Sequence, residues 1–137
     1  MDNKSQMKIF LITALILFSF GNVFAQNDTM LIRISEIEID SNYLNQYNAI
    51  LKEEARASVQ LEPGVIAIYP MYQKGHPTEV RILEIYKNRE AYESHLKTAH
   101  FLKYKTTTLK MVRSLKLIDM EALDAEMMPS IFLKIKD

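Results

Sequence analysis

Residues 62–86 read Glu62-Pro63-Gly64-Val65-Ile66-Ala67-Ile68-Tyr69-Pro70-Met71-Tyr72-Gln73-Lys74-Gly75-His76-Pro77-Thr78-Glu79-Val80-Arg81-Ile82-Leu83-Glu84-Ile85-Tyr86. Pro63 bars continuation of any preceding helix and Gly64 supplies a turn. The spacing then predicts two strands, Val65–Tyr72 and Thr78–Tyr86, joined across Gln73–Pro77, a connection of hairpin length rich in breakers. Val65 through Tyr69 are consecutively apolar, as are Ile82 and Leu83 and, past Glu84, Ile85 and Tyr86. Strands apolar on both sides need cover on both faces. A few short helices can cover one face only, so a second copy of the chain is the expected cover for the other.

Working outward, Met30–Ile39 alternates as a strand, with Ile32 and Ile34 in one phase and Ile37 and Ile39 in the other. The slip near Ser35 predicts a β-bulge. Asp40-Ser41-Asn42 is a cap cluster. Behind it, Leu44, Tyr47, Leu51, Ala55 and Val59 fall at helical spacing, which predicts an amphipathic helix over Tyr43–Leu61. Asn88 caps a second helix from Arg89 to about Lys97. After a break at Thr98-Ala99, a further helix runs from His100 to about Met111, and Arg113–Ile118 forms a fourth strand. The order β-α-β-β-α-β predicts an α+β, ferredoxin-like fold.

The ends read differently from the centre. Lys4 and Lys8 precede an uncharged apolar run, Ile9–Phe20, and Val23-Phe24-Ala25 closes on a small residue. Residues 1–25 are thus expected to be a secretory signal peptide, since the run is too short to span a bilayer core of about 30 Å. Residues 26–120 form the expected domain, exported to the periplasm or secreted, with no membrane anchor after cleavage. Residues 121–137 form a C-terminal arm. There Ile131, Leu133 and Ile135 alternate like a short strand that pairs with a partner subunit.

Composition excludes several chemistries. The 137 residues contain no cysteine, which removes disulfides, thiolate nucleophiles and Cys-ligated metals. Lys and Arg number 17, as do Asp and Glu, so the basic excess of a nucleic-acid binder is missing. Neither a phosphate-binding glycine loop, nor His-Glu-x-x-His, nor Gly-x-Ser-x-Gly occurs.

The remaining candidates are few. His76 lies in the hairpin and reads as a solvated loop residue. His95 and His100 are five apart, which on one continuous helix separates them by about 140° and forbids a shared metal. Nearby carboxylates are limited to Glu90 and Glu93, so no metal is expected. A helix break at Thr98-Ala99 would instead let both imidazoles face the sheet, where either could exchange a proton near neutral pH. Capping or surface roles for both are the alternative. Tyr47, Tyr69, Tyr72, Tyr86, Phe101 and Tyr104 line an apolar cavity or simply fill the core. Glu84 interrupts an apolar strand. If it faces inward it needs Arg81, His95 or a tyrosine as partner; otherwise it points to solvent.

Glu62-Pro63-Gly64-Val65, Ile82-Leu83-Glu84-Ile85-Tyr86 and His95-x-x-x-x-His100-Phe101-x-x-Tyr104, in that order, resemble the antibiotic biosynthesis monooxygenase domain. The likeness is greatest to its small quinol-monooxygenase-like branch, over about Met30 to Ile118. The resemblance implies a dimeric α+β barrel with a buried pocket between sheet and helices in each subunit. Members oxygenate electron-rich phenols or hydroquinones with O₂, often without metal, flavin or haem, so no cofactor is expected. By the resemblance His95, or else His100, is the base and Glu84 orients it. Tyr47, Tyr86, Phe101 and Tyr104 shape the aromatic slot. The haem-degrading branch uses a tryptophan and a late histidine; this chain has no Trp, and Lys105 stands near that histidine's place. The superfamily also holds isomerases of small phosphorylated sugars and proteins without demonstrated activity. A non-catalytic binder of small aromatics and an isomerase are therefore the alternatives to a quinol-oxidising homodimer.

Overall fold

Leu31–Ile39 forms β1, one of the two inner strands of a four-stranded antiparallel sheet ordered β2-β3-β1-β4. The computed structural model describes residues 29–135. The expected signal peptide lies outside the described residues. β2 is Val65–Gln73, β3 is His76–Tyr86 and β4 is Val112–Met120. Helix α1 spans Leu44–Leu61, α2 spans Arg89–His95 and α3 spans Ala99–Thr108. The β-α-β-β-α-β order is as expected, with the second helical segment divided in two.

Local chemistry explains each junction. Asp40 accepts the Asn42 backbone N–H at 2.9 Å and starts a 3₁₀ turn, Ser41–Tyr43, that leads into α1. The hairpin turn is Lys74-Gly75, and Gly75 has φ 85°, a conformation that favours glycine. Asn88 caps α2 by accepting the Ala91 N–H at 2.9 Å. Thr98 does two things at the break. Its hydroxyl donates to the His95 carbonyl at 2.8 Å and accepts the Phe101 N–H at 3.3 Å, so one side chain closes α2 and opens α3.

The expected bulge at Ser35 is not there. β1 pairs with β3 in unbroken register from Leu31 opposite Tyr86 to Glu38 opposite Glu79. The register of β1 shifts only against β4, between Glu38 and Ile39. The apparent slip arises because Arg33 and Ser35 are buried in the same row as Leu31, Ile37 and Ile39, while Ile32 and Ile34 point the other way. Polar residues thus occupy part of the helix-covered face.

That covered face, with α1 over it, holds the core: Leu31, Ile37 and Ile39 with Tyr47, Leu51, Val80, Ile82, Tyr86 and Met111. The opposite face of the sheet, by strand alternation and register, carries Ile32, Ile34, Tyr69, Leu83, Ile85 and Ile118. The C-terminal segment departs from expectation. Met128–Leu133 is a short helix, α4, with Pro129 in its first turn, where the expected alternation called for a strand. Proline's fixed φ suits a helix start. Among the described residues no helix is long and apolar enough to cross a membrane.

Candidate functional site

Helix α1 brings an unexpected set of polar side chains inward. Tyr47, Leu51, Glu54, Ala55 and Ser58 are its buried residues, whereas Val59, expected on the apolar stripe, is 45% exposed. Glu54 is only 5% exposed. Its Oε1 accepts the Ser58 hydroxyl at 2.7 Å, a pairing that spacing of four residues on a helix permits. Burial raises the Glu54 pKa above the ordinary carboxylate value.

One turn further, at the helix end, Glu62 meets both histidines. Glu62 Oε1 lies 3.0 Å from His95 Nδ1 and 2.5 Å from His100 Nε2. Because Thr98 interrupts the helix, the divergence expected for a continuous helix does not arise, and both imidazoles converge on one carboxylate. The shortage of carboxylates expected around them is also overturned, since Glu62 and Glu54 come from α1 and its terminus. On its other edge, His95 Nε2 is 3.7 Å from Glu54 Oε1. His95 is buried and packs against the rings of Phe101 at 4.7 Å and Tyr86 at 5.4 Å.

A cavity of about 520 Å³ lies between the covered sheet face and α1 and α3. That size falls within the ordinary range for small-molecule sites. Arg33, Ser35, Glu54, Glu84, Tyr86, His95, Phe101 and Tyr104 border it, and it extends to Leu115 and Leu117 on β4, both half-exposed or more. Glu62 and His100 do not border it. His95 therefore bridges the two regions, with Nδ1 toward Glu62 and Nε2 on the side of Glu54 and the cavity. A carboxylate can only accept hydrogen bonds, so the Nδ1–H donates to Glu62 and the lone pair of a neutral imidazole is left on Nε2.

Glu84 faces inward but does not orient His95. Its Oε1 accepts the Ser35 hydroxyl at 2.5 Å and its Oε2 accepts the Tyr86 hydroxyl at 2.8 Å. Glu62 holds the position assigned to Glu84. Of the expected aromatics, Tyr86, Phe101 and Tyr104 border the cavity, joined by Tyr92, and Tyr47 stands behind them with its hydroxyl 2.7 Å from that of Tyr104. Burial raises the pKa of Tyr47 and Tyr86, and pushes Tyr104 up to about 12. Tyr69 and Tyr72 are more than 60% exposed and take no part. His76 is exposed beside Glu79, as a solvated residue should be.

Arg33 adds a buried cation at the cavity wall. Its guanidinium pairs with Asp119 at 2.6 Å and lies 4.6 Å from the centre of the Tyr92 ring. Of the cations Arg81, Lys103 and Lys105, which a phosphate site would recruit, only Lys105 borders the cavity. Arg81 pairs with Glu36 and Glu79, and Lys103 with Glu53.

Glu54, Ser58 and Arg33 were legible in principle. Each is a polar residue standing in phase with a buried apolar row, which is the pattern of a polar cavity wall. Glu62 carried no such mark, because its position depends on how α1 ends.

A family model described as antibiotic biosynthesis monooxygenase matches residues 30–107. Among solved structures, a Bacteroides thetaiotaomicron protein provisionally described as such a monooxygenase is 49% identical. The match covers 70% of this chain and 91% of that one, with a TM-score of 0.69. A Lactobacillus acidophilus protein provisionally described as a monooxygenase is 27% identical over 69% of this chain and 45% of its own, with a TM-score of 0.67. A Nitrosomonas europaea protein, 21% identical over 70% of this chain and 92% of its own, shares the fold at a TM-score of 0.66. No curated protein matches the chain.

Proposed function

This chain belongs to the antibiotic biosynthesis monooxygenase family, and from that premise we propose that it oxidises a hydroquinone or related small aromatic with O₂ in the cavity beside His95. The observation that carries this reading is the placement of His95. Its Nδ1 is tied to Glu62 while its Nε2 lies on the cavity side, 3.7 Å from Glu54.

The chemistry follows from these groups. His95 Nε2 takes a phenolic proton from the bound hydroquinone, and Glu62 stabilises the imidazolium that forms. The electron-rich anion then transfers electrons to O₂. One oxygen atom forms a new C–O bond on the ring and the other leaves as water, so hydroquinone and O₂ become hydroxyquinone and water. Arg33 and Lys105 at the cavity wall supply positive charge that favours the anion, and Tyr86, Phe101 and Tyr104 supply flat apolar walls for the ring. These residues provide the proton transfer and the positioning without a further group being invoked.

Two related expectations belong to the same reading. A homodimer joined through the apolar sheet face would cover Ile34, Tyr69 and Leu83. Export is supported by the apolar run Ile9–Phe20 between its basic start and Ala25.

The test is O₂ consumption with a reduced naphthoquinone, corrected for spontaneous autoxidation, with the hydroxyquinone product identified. The wild type should turn over, and His95→Ala should lose about 10²- to 10⁴-fold, the range general-base catalysis supplies. Equal rates in both proteins would exclude His95 as the base. Tight quinone binding with no product would make the chain a binding protein instead.

A further inference from the structure

Glu62, His95 and His100 form a cluster whose use goes beyond proton transfer. Their donor atoms, Glu62 Oε1, His95 Nδ1 and His100 Nε2, all lie within 4.8 Å of one another. We propose that this cluster is a binding site for a first-row divalent transition-metal ion of the Zn(II) type, and that the ion switches off the base at His95.

The donor chemistry selects the ion. Two imidazole nitrogens and one carboxylate oxygen suit Zn(II) and its neighbours, whereas Ca(II) and Mg(II) prefer all-oxygen sets. Three protein ligands leave at least one position for water. The distances are compatible. A tetrahedral ion about 2.1 Å from each donor sets neighbouring donors about 3.4 Å apart. The imidazoles, within 4.8 Å of each other, close by up to about 1.4 Å and the Glu62–His100 pair, at 2.5 Å, opens by about 0.9 Å, shifts within reach of side-chain rotation.

The surroundings fit as well. A metal-bound imidazole commonly directs its other nitrogen at a carboxylate, which fixes the ring. His95 Nε2 has Glu54 3.7 Å away, and Ser58 steadies Glu54. The His100 side chain is 20% exposed, which gives an ion a route from solvent that does not pass through the cavity. The backbone holds the set together, since the Thr98 break fixes how α2 and α3 present their histidines.

Occupancy has a defined consequence for His95. A neutral imidazole that gives Nδ1 to the metal carries its proton on Nε2. The lone pair that would accept a substrate proton is then gone. This inhibitory part rests on the function proposed above; the binding part does not.

The experiment uses untagged protein titrated with Co(II), followed by its visible ligand-field absorption, and with Zn(II) in competition. One ion should bind per chain. His100→Ala and Glu62→Gln should each weaken binding more than tenfold while retaining the wild-type far-ultraviolet circular dichroism, and Glu54→Gln should weaken it about 10-fold. His76→Ala should bind as the wild type does. Absence of stoichiometric binding, or binding undiminished in both His100→Ala and Glu62→Gln, overturns the site. Zn(II) should lower O₂ consumption in proportion to occupancy. Undiminished turnover at full occupancy overturns the inhibitory role, whereas metal binding by a protein that never turns over a quinol sinks the oxygenase reading and leaves the metal site standing.

Discussion

Glu62 Oε1 stands 3.0 Å from His95 Nδ1 across 33 residues of sequence. The contact joins the end of one helix to the end of another and aims the opposite edge of the imidazole at the cavity. A histidine held in this way has a defined tautomer and a defined direction, which are what a general base needs.

Replacing Glu62 should therefore matter more than replacing Glu84. Glu62→Gln keeps the volume and an acceptor oxygen but removes the charge that stabilises the imidazolium, and should lower kcat for hydroquinone oxidation by about 10²-fold or more. Glu84→Gln loses contacts to Ser35 and Tyr86, not to His95, and should cause a smaller loss. Steady-state kinetics on both variants decides; a greater loss in Glu84→Gln would contradict the role given to Glu62.

Gly64 lets α2 sit against the start of β2. A Cβ at this position would lie 2.5 Å from the Ala91 Cβ, and the Gly64 carbonyl accepts the Lys87 N–H at 2.8 Å. Gly64→Ala should lower unfolding free energy by about 1–3 kcal/mol through overpacking. Adding Ala91→Gly should recover part of the loss by removing the opposing methyl. Urea denaturation of both variants measures this, and a single variant as stable as the wild type would rule out the clash.

Alkaline stability follows from the buried tyrosines. Tyr104 is raised from the ordinary 10.0 to about 12, by burial first of all. Between those values the native state holds a proton that the unfolded chain has lost. Stability contributed by this group is whole below pH 10 and falls as pH rises toward 12. Tyr104→Phe should flatten that alkaline decline, as followed by thermal melts at stepped pH. An unchanged slope would exclude Tyr104 as its source.

The apolar sheet face should bring two chains together. Leu83 lies in the middle of that face, opposite Ile34 on β1 and Tyr69 on β2. Sedimentation equilibrium should find the wild type dimeric at micromolar concentration and Leu83→Lys largely monomeric, because a lysine there would bring an unpaired charge into the contact. A monomeric wild type would remove the case for the dimer.

The sequence alone determined the element order, the stop at Pro63-Gly64, a hairpin within Gln73–Pro77 and the capped start at Asn88, while the structure narrows the turn to Lys74-Gly75 and carries both strands further toward it. These depend on local backbone chemistry and on short periodicities, which a chain carries residue by residue. It also carried a misleading mark at Ser35, where polar residues in a buried row look like a register slip. The tail's alternation suggested a strand, but the chain turns helical over Met128–Leu133, where Pro129 opens the first turn.

The site was decided in three dimensions. His95, His100 and Glu84 were visible as unusual residues, but their partners were not, because Glu62 and Glu54 lie 33 and 41 positions before His95 on another helix. What brings them together is the packing of α1 against the sheet and α3 and the turn that Thr98 imposes between α2 and α3. The sequence marks the break at Thr98-Ala99 but not where it turns the two histidines, and the packing of α1 is not written in spacing at all. Directional contacts between distant segments depend on where whole elements settle, and only the tertiary structure shows which carboxylate an imidazole meets.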